Sequence, residues 1–180
     1  MRSALIVVDM QKDFCYQDGK LFGGEHLSKI FEPNARAITE ARKKMPVIFT
    51  QDWHRRDDPE FRIWPEHCVA NTEGAEIIDE LEVKVEDHVV RKRRYSAFFG
   101  TDLDLTLREL EVKRLYITGV LTNICVLHTA GDAVLRGYDV VVIKDCTAAL
   151  NDYDYQYALR HMENVFNAEI TTLSDFLQGL

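Results

Sequence analysis

Short apolar runs recur along the chain, separated by amphipathic stretches. They are ALIVV (residues 4–8), VIFT (47–50), HVV (88–90), LYITGVL (115–121) and DVVVI (139–143), with a weaker AEITTL at 168–173. Several are continuously apolar and rich in Val and Ile, the pattern of strands buried on both faces of a parallel sheet. Helical spacing fills the gaps. Ala35, Ile38 and Ala41 follow Pro33, a residue suited to a first helical turn. Thr101 and Asp104 resemble a capping box that opens a Leu103, Leu107, Leu110 stripe. Ile124, Leu127, Gly131 and Val134 make another stripe, closed by Gly137, and Tyr155, Ala158, Met162 and Val165 make a further one. Strands alternating with helices predict a doubly wound three-layer α/β/α sandwich. Its mostly parallel sheet would have about six strands, in one domain over residues 1–180.

Composition narrows the class. Among 180 residues, 46% are hydrophobic, enough for a real core. Nine Gly and four Pro, with no repetitive tract, give no sign of a linker. A net charge of −8 argues against general nucleic-acid binding, which needs a basic face. The run Arg91-Lys92-Arg93-Arg94 reads as a solvated cluster in preference to a phosphate patch. The first apolar run is too short for a signal peptide or a membrane span, so a soluble cytoplasmic protein is expected. The cysteines, at 15, 68, 125 and 146, lack both the density of a disulfide scaffold and a CxxC pair.

Ligands of such sheets bind outside the carboxyl ends of the strands. Asp9 ends the first run, Asp52 and His54 the second, Lys92 the third, and Cys125 follows the fourth. Thr122 or Asn123 is placed to cap the next helix, with Cys125 in its first turn. There the free N–H groups and the helix dipole favour a thiolate and suit a developing oxyanion. Asp9, a carboxylate closing a buried strand, is costly unless paired or working. It is the candidate base for the thiol, with Lys92 keeping it ionised. A Cys125–His128 dyad is the alternative, and it leaves Asp9 and Lys92 without a role. Cys15, Cys68 and Cys146 are read as packing.

A second cluster lies in TQDWHRRDDPEFRIWPEHC, residues 50–68. Asp52, His54 and His67 can converge on one metal, with Glu60 as a fourth ligand or a partner for bound water. Mixed Asp/His ligation suits Zn²⁺, Fe²⁺ or Mn²⁺. The plainer alternative is a polar loop of turn residues.

Five segments, ALIVVDMQKDF (4–14), TQDWH (50–54), WPEHCVANTEGAE (64–76), KRRYSAFFGTDLD (92–104) and GVLTNICVLHTAGDA (119–133), together resemble the isochorismatase-like cysteine hydrolase superfamily. The likeness spans nearly the whole chain and is strongest to nicotinamidases. It implies a triad of Asp9, Lys92 and Cys125, metal ligands Asp52, His54 and His67, and Glu60 where some nicotinamidases have histidine. It further implies Phe14, Trp64 and Tyr95 around a pyridine ring. A cis peptide at Val120–Leu121 and an oxyanion hole from the Leu121 and Cys125 N–H groups also follow from it. One divalent metal ion is implied, zinc first, with iron or manganese as alternatives. The implied reaction on a small-molecule amide turns nicotinamide and water into nicotinate and ammonia through a thioester. The resemblance also implies a homo-oligomer, for which Phe98-Phe99 is an apolar interface pair. HRRDDPEFRIW (54–64) leans instead toward N-carbamoylsarcosine amidases, so an N-carbamoylsarcosine or ureidoacrylate amidohydrolase is the rival. A non-catalytic binding protein on this fold is the remaining reading. The cysteine argues against the enol-ether hydrolysis of true isochorismatases.

Overall fold

A computed structural model describes residues 1–180, and each apolar run becomes a strand. These are β1 (Ser3–Val8), β2 (Val47–Asp52), β3 (His88–Lys92), β4 (Arg114–Val120), β5 (Asp139–Ala148) and β6 (Glu169–Thr171). They form one sheet in the order β3-β2-β1-β4-β5-β6, and every pairing is parallel. The helices are α1 (Lys12–Cys15), α2 (Phe31–Ala41), α3 (Leu103–Glu109), α4 (Leu127–Leu135), α5 (Asp152–Phe166) and α6 (Leu173–Gln178).

The unbroken apolarity of β1 has a direct cause. Successive side chains of a strand point to opposite faces, and here both faces are covered. Ala4, Ile6 and Val8 join a core that includes Leu103 and Leu107 of α3, Ala130 of α4 and Met162 of α5. Leu5 and Val7 join a second core with Ile38 of α2 and Leu173 and Phe176 of α6. The sheet is therefore the middle of three layers.

Local chemistry departs from expectation at three places. The capping box does not form. Asp102 precedes α3 with no side-chain cap. Thr101 instead donates to the Ala97 carbonyl and accepts from the Leu103 N–H, while Asp104 accepts from the Tyr138 hydroxyl at 2.8 Å. A tertiary partner has claimed Asp104, and local backbone groups have claimed Thr101. A π-helical turn, Thr122–Val126, leads into α4. The wider turn goes with a buried face of Val126, Thr129, Ala130 and Ala133, and Ile124, Leu127 and Val134 are left at the core margin. Gly137, at φ +84°, does close α4 as its sequence position suggested. Finally, Phe98 is no surface residue. It is buried, stacks on Tyr138 at 6.0 Å and lies under the Arg136 guanidinium. Only Phe99 of the pair faces outward, 64% exposed. No helix is long and apolar enough to cross a membrane.

The chain winds outward from β1 to β3 on one side and from β4 to β6 on the other. The order reverses between β1 and β4, which opens a crevice at their carboxyl ends. Gly119 is needed there. Its φ is +100°, and an added Cβ would run into the Val8 carbonyl. Gly119→Ala is expected to destabilise the protein by about 3 kcal/mol or more in urea unfolding. A loss under about 1 kcal/mol would show that the two strands have room to spare.

Candidate active site

Asp9 follows β1 with φ +49°, in a left-handed conformation that Asp tolerates better than most residues. Its N–H reaches the Thr50 hydroxyl at 3.2 Å, and the same hydroxyl donates to Asp9 Oδ1 at 2.6 Å. The carboxylate is thus aimed by the neighbouring strand. Its Oδ2 lies 2.7 Å from Lys92 Nζ.

Lys92 ends β3, which is separated from β1 by β2. Two strand spacings make roughly 10 Å, and a long side chain is needed to cross them. The ammonium is completely buried and collects four partners. Asp9 is one. Asp52 Oδ1 lies at 2.5 Å, the Arg94 carbonyl at 2.9 Å and Cys125 Sγ at 3.5 Å. The four strand-end residues anticipated from sequence therefore meet around one cation.

The shared cation splits the behaviour of its neighbours. Burial pushes the Asp9 carboxyl up, Lys92 pulls against it, and Asp52 adds to the rise. Burial acts on Asp52 too, but Lys92 and the neighbouring His54 and His67 imidazoles win and hold it far below the usual carboxylate range. Burial would lower Lys92, yet Asp52 and Asp9 raise it well above an ordinary lysine. The two carboxyls are thus driven apart, Asp52 down and Asp9 up.

Cys125 differs from the sequence expectation. It sits on the π turn, where no side chain caps the N-terminus. Thr122 shares a hydrogen bond with Thr147 instead, at 2.8 Å. The sulfur is buried, and burial, reinforced by Asp9 and Asp52 against Lys92, pushes the thiol well above an ordinary cysteine. Burial thus favours the thiol form, with the Asp9 carboxyl beside it. His128 is no partner for it: its Nδ1 bonds the Ile124 carbonyl at 2.7 Å on an exposed surface.

The second cluster adjoins the first through Asp52. Asp52 Oδ2 faces His54 Nε2 at 3.5 Å and His67 Nε2 at 3.7 Å. Ligand atoms of all three residues lie within 4.8 Å of one another. Each imidazole is held from behind, His54 Nδ1 by Asp58 at 3.1 Å and His67 Nδ1 by the Pro65 carbonyl at 2.7 Å. This leaves both Nε2 atoms aimed at one point, and His54 Nε2 is buried with no hydrogen-bond partner. Such a donor set, braced from outside, fits one divalent cation. Glu60 Oε1 stands 3.9 Å from His54 Nε2, at the margin of the three.

Above these groups lies a cavity of about 150 Å³. Phe14, Phe22, Trp64 and Tyr95 supply its aromatic walls, Cys125, Asp52 and His67 reach it, and no Lys or Arg lines it. An apolar cavity of about 150 Å³ holds one benzene-sized ring. Trp64 Nε1 donates to the Tyr95 hydroxyl at 3.0 Å and ties two loops together across it. Leu121, also on the wall, follows a cis Val120–Leu121 peptide.

Sequence reasoning missed Thr50, Gln11, Asp58 and Phe22. Gln11 clamps β2 by accepting from the Asp52 N–H and donating to the Asp52 carbonyl, both at 2.8 Å. No spacing rule flags these residues: Thr50 and Gln11 act on partners across the fold, and the Arg93 and Arg94 partners of Asp58 come from another segment.

The family description "isochorismatase domain" matches residues 3–175. Among solved structures, the nicotinamidase/pyrazinamidase of Bacillus subtilis is 36% identical with a TM-score of 0.88, covering 95% of this chain and all of that one. The N-carbamoylsarcosine amidase of Thermoplasma acidophilum is 34% identical with a TM-score of 0.88, covering 96% and 97%. The pyrazinamidase of Pyrococcus horikoshii in complex with zinc is 36% identical with a TM-score of 0.89, covering 96% and 99%.

Thr50→Val keeps the shape of the side chain and removes the hydroxyl that orients Asp9. A loss of about 1–3 kcal/mol is expected from the orphaned buried carboxylate oxygen, read by urea unfolding. A change within about 0.3 kcal/mol would mean that Asp9 is oriented without it.

Proposed function

This chain is an amide-bond hydrolase of the isochorismatase family, and we propose that its substrate is nicotinamide. The observation that carries this reading is a buried thiol, flanked by Asp9 and Lys92, at a cavity sized for one ring.

In the proposed reaction Asp9 takes the proton of Cys125, and the sulfur attacks the carboxamide carbon. Lys92 offsets the negative charge that then lies on the sulfur and holds Asp9 beside it. The tetrahedral oxyanion forms against the N–H groups of Leu121 and Cys125, and one such donor is worth about 3–4 kcal/mol of barrier. Asp9 returns its proton to the departing nitrogen, and ammonia leaves a thioester. Water, deprotonated by Asp9, cleaves that thioester to nicotinate and restores the thiol. When bound, a divalent ion held by Asp52, His54 and His67, with Glu60 beside them, supplies a Lewis-acidic point that orients the pyridine nitrogen. Zinc is the first choice, since the donor set matches its preference; iron and manganese are the alternatives. Phe14, Trp64 and Tyr95 position the ring by contact on its faces and edge.

The rival substrates, N-carbamoylsarcosine and ureidoacrylate, each carry a carboxylate. No Lys or Arg side chain lines the cavity to receive one. Of the nearby arginines, Arg55 pairs with Asp57, and Arg93 and Arg94 pair with Asp58. This lining supports a neutral amide.

Supplying the three amides side by side tests the assignment. Nicotinamide is expected to show the highest kcat/KM by at least about a hundredfold. Faster turnover of a carboxylate-bearing amide would replace nicotinamide as the substrate. Cys125→Ala is expected to lower ammonia release by about a thousandfold or more with an unchanged unfolding midpoint. Surviving activity would rule out the thioester route.

A further inference from the structure

The loop after β2 hides one acid that the reaction above does not use. Asp58 sits among Arg55, Arg56 and Asp57, all exposed, yet its own side chain is fully buried. Four donors converge on it. His54 Nδ1 lies at 3.1 Å, the Glu60 N–H at 3.0 Å, Arg93 Nε at 3.2 Å and Arg94 Nη1 at 3.1 Å.

Following the contacts outward from Asp58 closes a ring. Asp58 holds His54 Nδ1. His54 Nε2 faces Asp52 Oδ2 at 3.5 Å. Asp52 Oδ1 meets Lys92 Nζ at 2.5 Å. Lys92 Nζ donates to the Arg94 carbonyl at 2.9 Å, and the Arg94 guanidinium returns to Asp58. Three members of this ring belong to the reaction or to the cation site. Asp58 touches neither the cavity nor Lys92, and it reaches both through others.

We propose that Asp58 is a positioning residue that sets His54 for the cation and, through Arg94, sets the carbonyl that holds Lys92. The first half follows from imidazole chemistry. A carboxylate accepting from Nδ1–H fixes the tautomer with its lone pair on Nε2, facing Asp52. The second half follows from the ion pair. Arg94 is the residue whose backbone accepts from Lys92, and its side chain is anchored on Asp58. One buried acid thereby ties the cation site to the lysine that serves Asp9 and Cys125. An Asn at this place would lose the charge and turn an amide N–H₂ toward the guanidinium donors.

The inference rests on the cation site and on the role of Lys92, so its test separates the two from substrate identity. Zinc affinity of the full-length protein is measured by competition with a chromophoric chelator, with no substrate present. The visible bands of the Co²⁺-loaded protein report ligand geometry independently. Then kcat and KM for nicotinamide are measured at saturating zinc. Asp58→Asn is expected to weaken zinc binding by about 10–100-fold, to shift the Co²⁺ bands, and to leave kcat about tenfold down or more even when zinc saturates. Arg94→Met, a change at a partly exposed side chain, is expected to lower kcat while zinc affinity stays within about threefold. Should Asp58→Asn not fold, Asp58→Glu reads the first half, with an expected loss of zinc affinity and shifted bands, and Arg94→Met reads the second. Zinc affinity unchanged in the Asp58 variant, or kcat fully restored by saturating zinc, would overturn the proposal. If the wild-type protein does not turn over nicotinamide, the zinc and Co²⁺ readings still decide the His54 half, and the substrate assignment alone fails.

Discussion

A single buried ammonium organises this molecule's working end. Lys92 is completely enclosed, and an unpaired charge in that position would cost several kcal/mol. It is tolerable because Asp9 and Asp52 lie at 2.7 and 2.5 Å on either side. The converse holds as well: neither carboxylate could stay buried without the ammonium. The three side chains come from the ends of three parallel strands, so the register of the sheet and the geometry of the site are one constraint. The close approach of β4 to β1 at Gly119 and the clamp of Gln11 on Asp52 serve that same constraint from outside.

Two negative groups sharing one positive charge cannot be equivalent. Asp52 also faces two imidazoles and settles as a permanent anion, suited to a cation site. Asp9 faces a hydroxyl, the ammonium and the Cys125 thiol, and is pushed up by burial. The thiol beside it is likewise pushed up. In the proposed reaction the nucleophile therefore rests as a protonated thiol with Asp9 beside it. The cavity above is ring-sized, and no Lys or Arg side chain lines it.

Much of this was legible in the chain. The unbroken Val/Ile runs marked strands covered on both faces, and β1 divides its side chains between two cores as that pattern requires. Once the strands were placed, Asp9, Asp52, Lys92 and Cys125 fell on one edge, and the structure brings them together. The aromatic walls were a different matter, because Phe14, Trp64 and Tyr95 were picked out by family resemblance and by no pattern of their own. What stayed hidden depended on tertiary partners. The reading of Cys125 as a dipole-favoured thiolate took no account of burial, invisible in a linear string, which pushes the thiol up. Thr101 and Asp104 have the spacing of a capping box, but Ala97 and Tyr138 compete for them. The π turn shifted the buried face of α4, and Phe98 turned inward under Arg136. Thr50 and Asp58 look like ordinary strand and loop residues until the chain closes around them.

The dependence on Lys92 is tested most directly by a double-mutant cycle in urea unfolding, pairing Lys92→Met with Asp52→Asn. Each single change strands a buried charge and is expected to cost about 3–5 kcal/mol. The double variant removes both charges and leaves Asp9 free to take up a proton, so it should recover at least about 2 kcal/mol relative to the sum of the singles. Additive losses, with no recovery, would mean that the ammonium and the carboxylate do not depend on each other, and the account built on them would be wrong.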